Sequence, residues 1–158
     1  MRESVRIADQ LRRAFEGDAW HGPAVLELLA GLDAAQAAEH PLAGVHSIWE
    51  IVEHVRVWNE VIVRRIHGEA VELSPAEDWP AITDATEFDW QDELHALKLA
   101  HAKAYNAMYA FPDERLSQTV PGKPGSHHFY YELHGLVQHD LYHAGQIALL
   151  KKALGIGH

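Results

Sequence analysis

The chain contains no cysteine. Disulfides and thiolate metal sites are therefore excluded, and any metal must be held by histidine, aspartate or glutamate. Basic residues are also scarce: 13 Lys and Arg stand against 23 Asp and Glu, a formal charge of −10. Nucleic acid and anionic lipid both select basic surfaces, so neither is expected as the main partner. No stretch reaches the ~20 consecutive apolar residues of a membrane span. The opening MRESVRIADQLRRAFEGDAW mixes charges with aliphatics and has no signal-peptide core. Strand alternation, internal repeats and low-complexity tracts are missing too. A single cytoplasmic domain over 1–158, long enough to bury a real core, is the expectation.

What the chain does have is helical periodicity. Val5, Ala8, Leu11, Ala14 and Phe15 make residues 4–15 an amphipathic helix. Gly17 interrupts it, and Gly22-Pro23 marks a break or restart before Val25, Leu26, Leu28 and Leu29. Residues 33–38 read as a short capped turn ahead of His40-Pro41. Ser47 and Glu50 form a capping-box pattern that opens a long helix to about Ile66, with Ile48, Ile51, Val52, Val55, Trp58, Ile62 and Ile66 as its stripe. Asn59 lies near the middle of that stripe and needs a hydrogen-bond partner if buried.

Residues 69–88 are acidic and broken by Pro75 and Pro80, a long connection that suggests a crossover or a functional loop. Trp79 and Trp90 are placed to pin it to the body. A third long helix spans about 86–109, carrying Trp90, Leu94, Leu97, His101, Ala104 and Met108 on one face. Residues 112–125 form a second loop and a candidate pocket rim. The last helix covers about 126–154, with Lys151 and Lys152 in its final turn and Gly155 as its stop. This order predicts an all-α four-helix bundle, up-down-down-up, with a long crossover between the second and third long helices.

Within the last helix His139 and His143 are four residues apart, which at ~100° per residue points both rings the same way. Leu136, Gln146, Ile147, Leu150 and Leu154 share that side, so two polar rings occupy the stripe that should face the core. With 13 histidines in 158 residues, about one such pair arises by chance, so spacing alone is weak. Bundles build metal sites from side chains of facing helices, and His54 on the second long helix completes a set with His139 and His143. Three imidazoles leave a coordination position open, the pattern of a catalytic zinc site. All-nitrogen ligation also suits nickel, cobalt, copper or ferrous iron. The competing reading is three core histidines, each donating to a carbonyl.

HSIWEIVEHVRVW at 46–58 and HGLVQHDLYHAGQIALLKK at 134–152, with WHGP at 20–23, resemble the DinB-like superfamily of metal-dependent enzymes, which includes thiol S-transferases. The resemblance implies a four-helix bundle and a divalent metal held by His54, His139 and His143. Proteins of this kind often form dimers, so a homodimer is expected, its interface not legible here. The damage-inducible origin of the family's name does not imply DNA binding.

Around these residues Gln146, one turn past His143, is placed to orient a water or substrate, or to bond within the bundle. Asp140 is either a partner behind a ligand histidine or a solvated acid. Glu50 is a general base or, preferably, the capping-box acid. Gly135 either leaves room for a substrate or allows close helix packing. His101 is a fourth ligand or, preferably, a hydrogen-bonded core residue. His21 and His46 line a pocket or, for His46, make a local capping contact; His127, His128 and His134 belong to the surface or helix start, and His158 to a free terminus.

The function expected is a metal-dependent hydrolase or low-molecular-weight-thiol S-transferase acting on a small molecule. Zinc or nickel leads the candidate metals, with iron, cobalt or manganese as further ones. Because the chain has no cysteine, any thiol nucleophile must come from a cofactor such as bacillithiol, mycothiol or glutathione. The alternatives are a non-catalytic metal or small-ligand binding protein of a stress response, and a structural helical module.

Overall fold

The computed structural model describes residues 1–122 and 127–157. The expected helix start at Ser126, the end of the candidate rim at 123–125, and His158 lie outside the described residues. Among the described residues seven α-helices follow in order: α1 (Glu3–Glu16), α2 (Val25–Leu29), α3 (Ala34–Ala38), α4 (Ile48–Ile66), α5 (Pro75–Asp78), α6 (Glu87–Ala110) and α7 (Phe129–Ala153). Among the described residues a 3-10 turn at Asp113–Arg115 lies between α6 and α7, and no β-sheet forms.

The helix boundaries have local chemical causes. Ser47 accepts from the Glu50 amide at 3.2 Å while Glu50 accepts from the Ser47 amide at 2.6 Å, the reciprocal box expected at the start of α4. Asp33 and Gln36 close the same box on α3, and Thr86 caps α6. At the far end of α7, Gly155 takes φ 70°, a left-handed conformation that a Cβ would strain.

Four long helices carry the packing. α4 lies against α6 and α7, and α1 lies against the same two helices. Their buried side chains fall into two clusters. One unites Phe15 at the end of α1 with Ile48–Val55 of α4, Trp90 and Leu97 of α6, and Ala144, Ile147 and Leu150 of α7. The other unites Ile7–Ala14 of α1 with Ile62 and Ile66, Ala104 and Met108, and Phe129–Val137 of α7. Each fully buried Ile, Leu or Phe here contributes about 1.5–3 kcal/mol. Buried polar residues interrupt the core at the junction of the clusters: Asn59 on α4, His101 on α6 and Asp140 on α7.

The long connection after α4 is not featureless. Ser74 caps the single turn α5, which Pro75 opens. Val71 is buried, and its carbonyl accepts from Arg65 Nη2 at 2.8 Å. Arg65, only 3 % exposed, pairs through Nη1 with Glu132 on α7. Trp90 is fully buried and donates to the Leu32 carbonyl at 2.9 Å, tying the α2–α3 region to α6.

Candidate metal centre

The structure brings His54 of α4 together with His139 and His143 of α7. One ring nitrogen from each lies within 4.8 Å of the other two, and among the described residues this is the group able to hold a metal ion. His54 and His143 are buried and His139 is partly so. His54 is on the flank of the α4 stripe by sequence, yet α7 and α5 cover it.

The outer nitrogens of two rings are committed. His54 Nδ1 donates to the Asp78 carbonyl at 2.8 Å, with the Asp78 carboxylate 3.1 Å away. His143 Nδ1 donates to Gln146 Oε1 at 2.6 Å. A proton on Nδ1 leaves Nε2 with its lone pair, so the acceptors behind the rings assign the ligand-ready tautomer to both. His139 Nε2 approaches His54 Nε2 at 2.9 Å. Its Nδ1 is buried without a partner, 3.9 Å from a similarly unpartnered Asp140 Oδ1. Crowded inward lone pairs and an orphaned outer nitrogen fit a divalent cation better than three independent carbonyl-bonded core histidines.

Electrostatics favour the same state. Burial pushes His139 and His143 down to about 4, with each neighbouring ring adding to the effect on His143. His54 is lowered by burial as well, partly opposed by Asp78. All three are neutral at pH 7, as nitrogen ligands must be.

The other expected site residues separate cleanly. Gln146 is half-buried and holds His143 through its Oε1. Asp140 is 0 % exposed rather than solvated, and burial raises its carboxyl well above the usual range. Glu50 serves the α4 cap and accepts from His40 Nε2 at 2.9 Å, so the capping assignment stands. His101 is away from the triad: it faces the Leu11 carbonyl at 3.4 Å and stacks on Phe15 at 3.8 Å. His46 stacks on Trp79 at 3.7 Å and also places Nδ1 3.5 Å from Oε2 of the capping-box Glu50, a local contact at the helix start. His21 lines a different surface cavity, beside Trp20 and Leu141.

Sequence reasoning did not identify Asp78 and Trp79 as parts of the site. Trp79 lies flat on His54, with ring centroids 3.9 Å apart and planes 6° apart. Trp58 donates through Nε1 to Asp78 Oδ1 at 2.8 Å, locking α5 over the histidines. The Ser74-Pro75 cap followed by a lone tryptophan in an acidic connection was the available signal.

Over residues 19–147 the chain matches the DinB superfamily. No curated protein and no solved structure matches it. The match spans most of the chain and contains both blocks that supply the histidines, so the chain belongs to the DinB superfamily.

Proposed function

We propose that His54, His139 and His143 bind one divalent metal, zinc or nickel first among the candidates, and that the protein is a metal-dependent enzyme acting on a small molecule. The observation that carries this reading is the set of inward ring nitrogens within 4.8 Å, two of them held in the ligand tautomer from behind. Four-helix bundles present such sites from facing helices. An up-down-down-up order is supported by the clusters: the end of α1, the first halves of α4 and α6, and the second half of α7 share one cluster.

A metal held here would polarise a substrate or activate a water or thiol nucleophile at neutral pH. The chain's own residues prepare the site. Asp78 and Gln146 orient His54 and His143, burial keeps the rings uncharged, and Trp79 shields one face of His54 from water. With three ligands, a coordination position is left for substrate, the arrangement of catalytic rather than structural sites. Hydrolysis and transfer of a low-molecular-weight thiol are the two reaction classes that fit, the thiol being supplied in solution.

Metal analysis of untagged protein tests the reading. One ion per chain is expected in the native protein, and less than a tenth of that in His54→Ala or His139→Ala. A native protein that takes up neither zinc nor nickel stoichiometrically refutes it. Turnover on a panel of thiols with electrophiles and of hydrolysable amides and esters then separates an enzyme from a metal-binding protein.

A further inference from the structure

His139 also forms part of the wall of a cavity of about 240 Å³ between α4 and α7, and this cavity has a definite chemistry. Its apolar surface comes from Trp58, Ile62, Leu136 and Tyr131. Two charged residues reach it, Arg65 and Glu132, but they are bonded to each other. The guanidinium also spends Nη2 on the Val71 carbonyl, and its Nε is buried with no hydrogen-bond partner. The pair is neutral as a whole, and drawing one partner off to meet an ion leaves the other uncompensated, although Glu132 Oε2 is buried with no hydrogen-bond partner of its own.

Gly135 decides how this cavity arises. It sits one turn before His139 in the middle of α7, where a glycine weakens the helix and no left-handed backbone requires one. A Cβ built there meets no atom within 4 Å. Close helix packing, the structural reason for a small residue at this position, is therefore not its role. The missing side chain faces open space on the cavity wall.

We infer that this cavity is the substrate pocket of the metal site, kept open by Gly135, and that it takes the uncharged, flat or apolar body of a small molecule whose reactive end lies at His139. The volume falls below the roughly 300–1,000 Å³ of clefts that take drug-sized ligands, so the occupant is smaller than these. Its body would pack against Trp58 and Leu136, while a polar head alone makes contact with the histidines. The assignment rests on the metal reading given above.

Cobalt-substituted protein provides the test, with imidazole as a head-only probe and 4-phenylimidazole as head plus flat body, both followed by the visible cobalt spectrum. Burial of the phenyl ring should make 4-phenylimidazole about 10–100-fold tighter than imidazole. A carboxylate on the far end of that ring should remove at least about tenfold of the gain, since Arg65 is already paired with Glu132 and the body of the cavity is apolar. Gly135→Leu should abolish the advantage of the phenyl ring while changing imidazole affinity less than about threefold and cobalt stoichiometry not at all. If imidazole perturbs the spectrum but the phenyl ring adds nothing, or Gly135→Leu leaves the gain intact, the pocket assignment is overturned. Tighter binding of the carboxylate probe overturns the neutral-substrate assignment. Failure of the protein to bind cobalt, zinc or nickel overturns the metal reading and the substrate assignment with it.

Discussion

Acid should unfold the metal-free protein partly through a residue that has no part in the site. His101 is 2 % exposed, stacked on Phe15, and burial pushes it from an ordinary 6.5 down to about 4. In the window between those values the unfolded chain holds a proton on this ring and the folded chain does not. Stability contributed by the neutral ring is thus complete above pH 6.5 and is lost as pH falls toward 4. At about 1.36 kcal/mol per unit the full loss is ~3 kcal/mol, of which ~2 kcal/mol has been spent by pH 5. His101→Gln removes the titration. The variant should be less stable at pH 7, through the lost stack, but should close on the wild type by ~2 kcal/mol between pH 7 and pH 5. Urea unfolding in chelator at several pH values reads this directly, as a relative shift in midpoint of about 1 M. Parallel curves for the two proteins would refute the reasoning. The comparison subtracts His139 and His143, which titrate equally in both proteins.

Four further outcomes are expected. Arg65→Ala should cost about 3–5 kcal/mol by stranding Glu132, and the double change Arg65→Met with Glu132→Leu should recover most of it in urea unfolding. Gly122→Ala should lower thermal stability by about 1–2 kcal/mol, because φ is 74° and the new Cβ lies 3.0 Å from Ala70 Cβ. The same change at Gly135 should instead raise stability by up to about 1 kcal/mol. Zinc or nickel at a hundredfold over its Kd should stabilise the protein by about 2.7 kcal/mol, an effect that calorimetry should find missing in His139→Ala.

Much of the fold was legible because its signals are local. The Ser47 box, the Asp33 turn, the stripe of α4 and the Gly155 stop each depend on residues within a turn or two, and each forms where those residues place it. The pairing of His139 with His143 is local in the same way, being a consequence of helical geometry alone. Selecting His54 took a resemblance as well as a helical wheel, since no local rule brings α4 to α7.

Side-chain surroundings were decided only by the tertiary structure. Asp140 and Gln146 read alike as polar residues near the pair, but Asp140 is buried without partners and Gln146 holds a ring nitrogen. Trp79 belongs to an acidic connection by sequence and becomes the cover of His54 once α5 folds back onto α4. Gly135 fitted close packing and open space equally well until the distance across α7 was known. The sequence by itself determined where helices start, stop and turn their apolar faces, because backbone hydrogen bonds and caps act over a few residues. Which polar groups meet, which are stranded, and where space is left depend on how distant helices pack, and only the assembled core decides that.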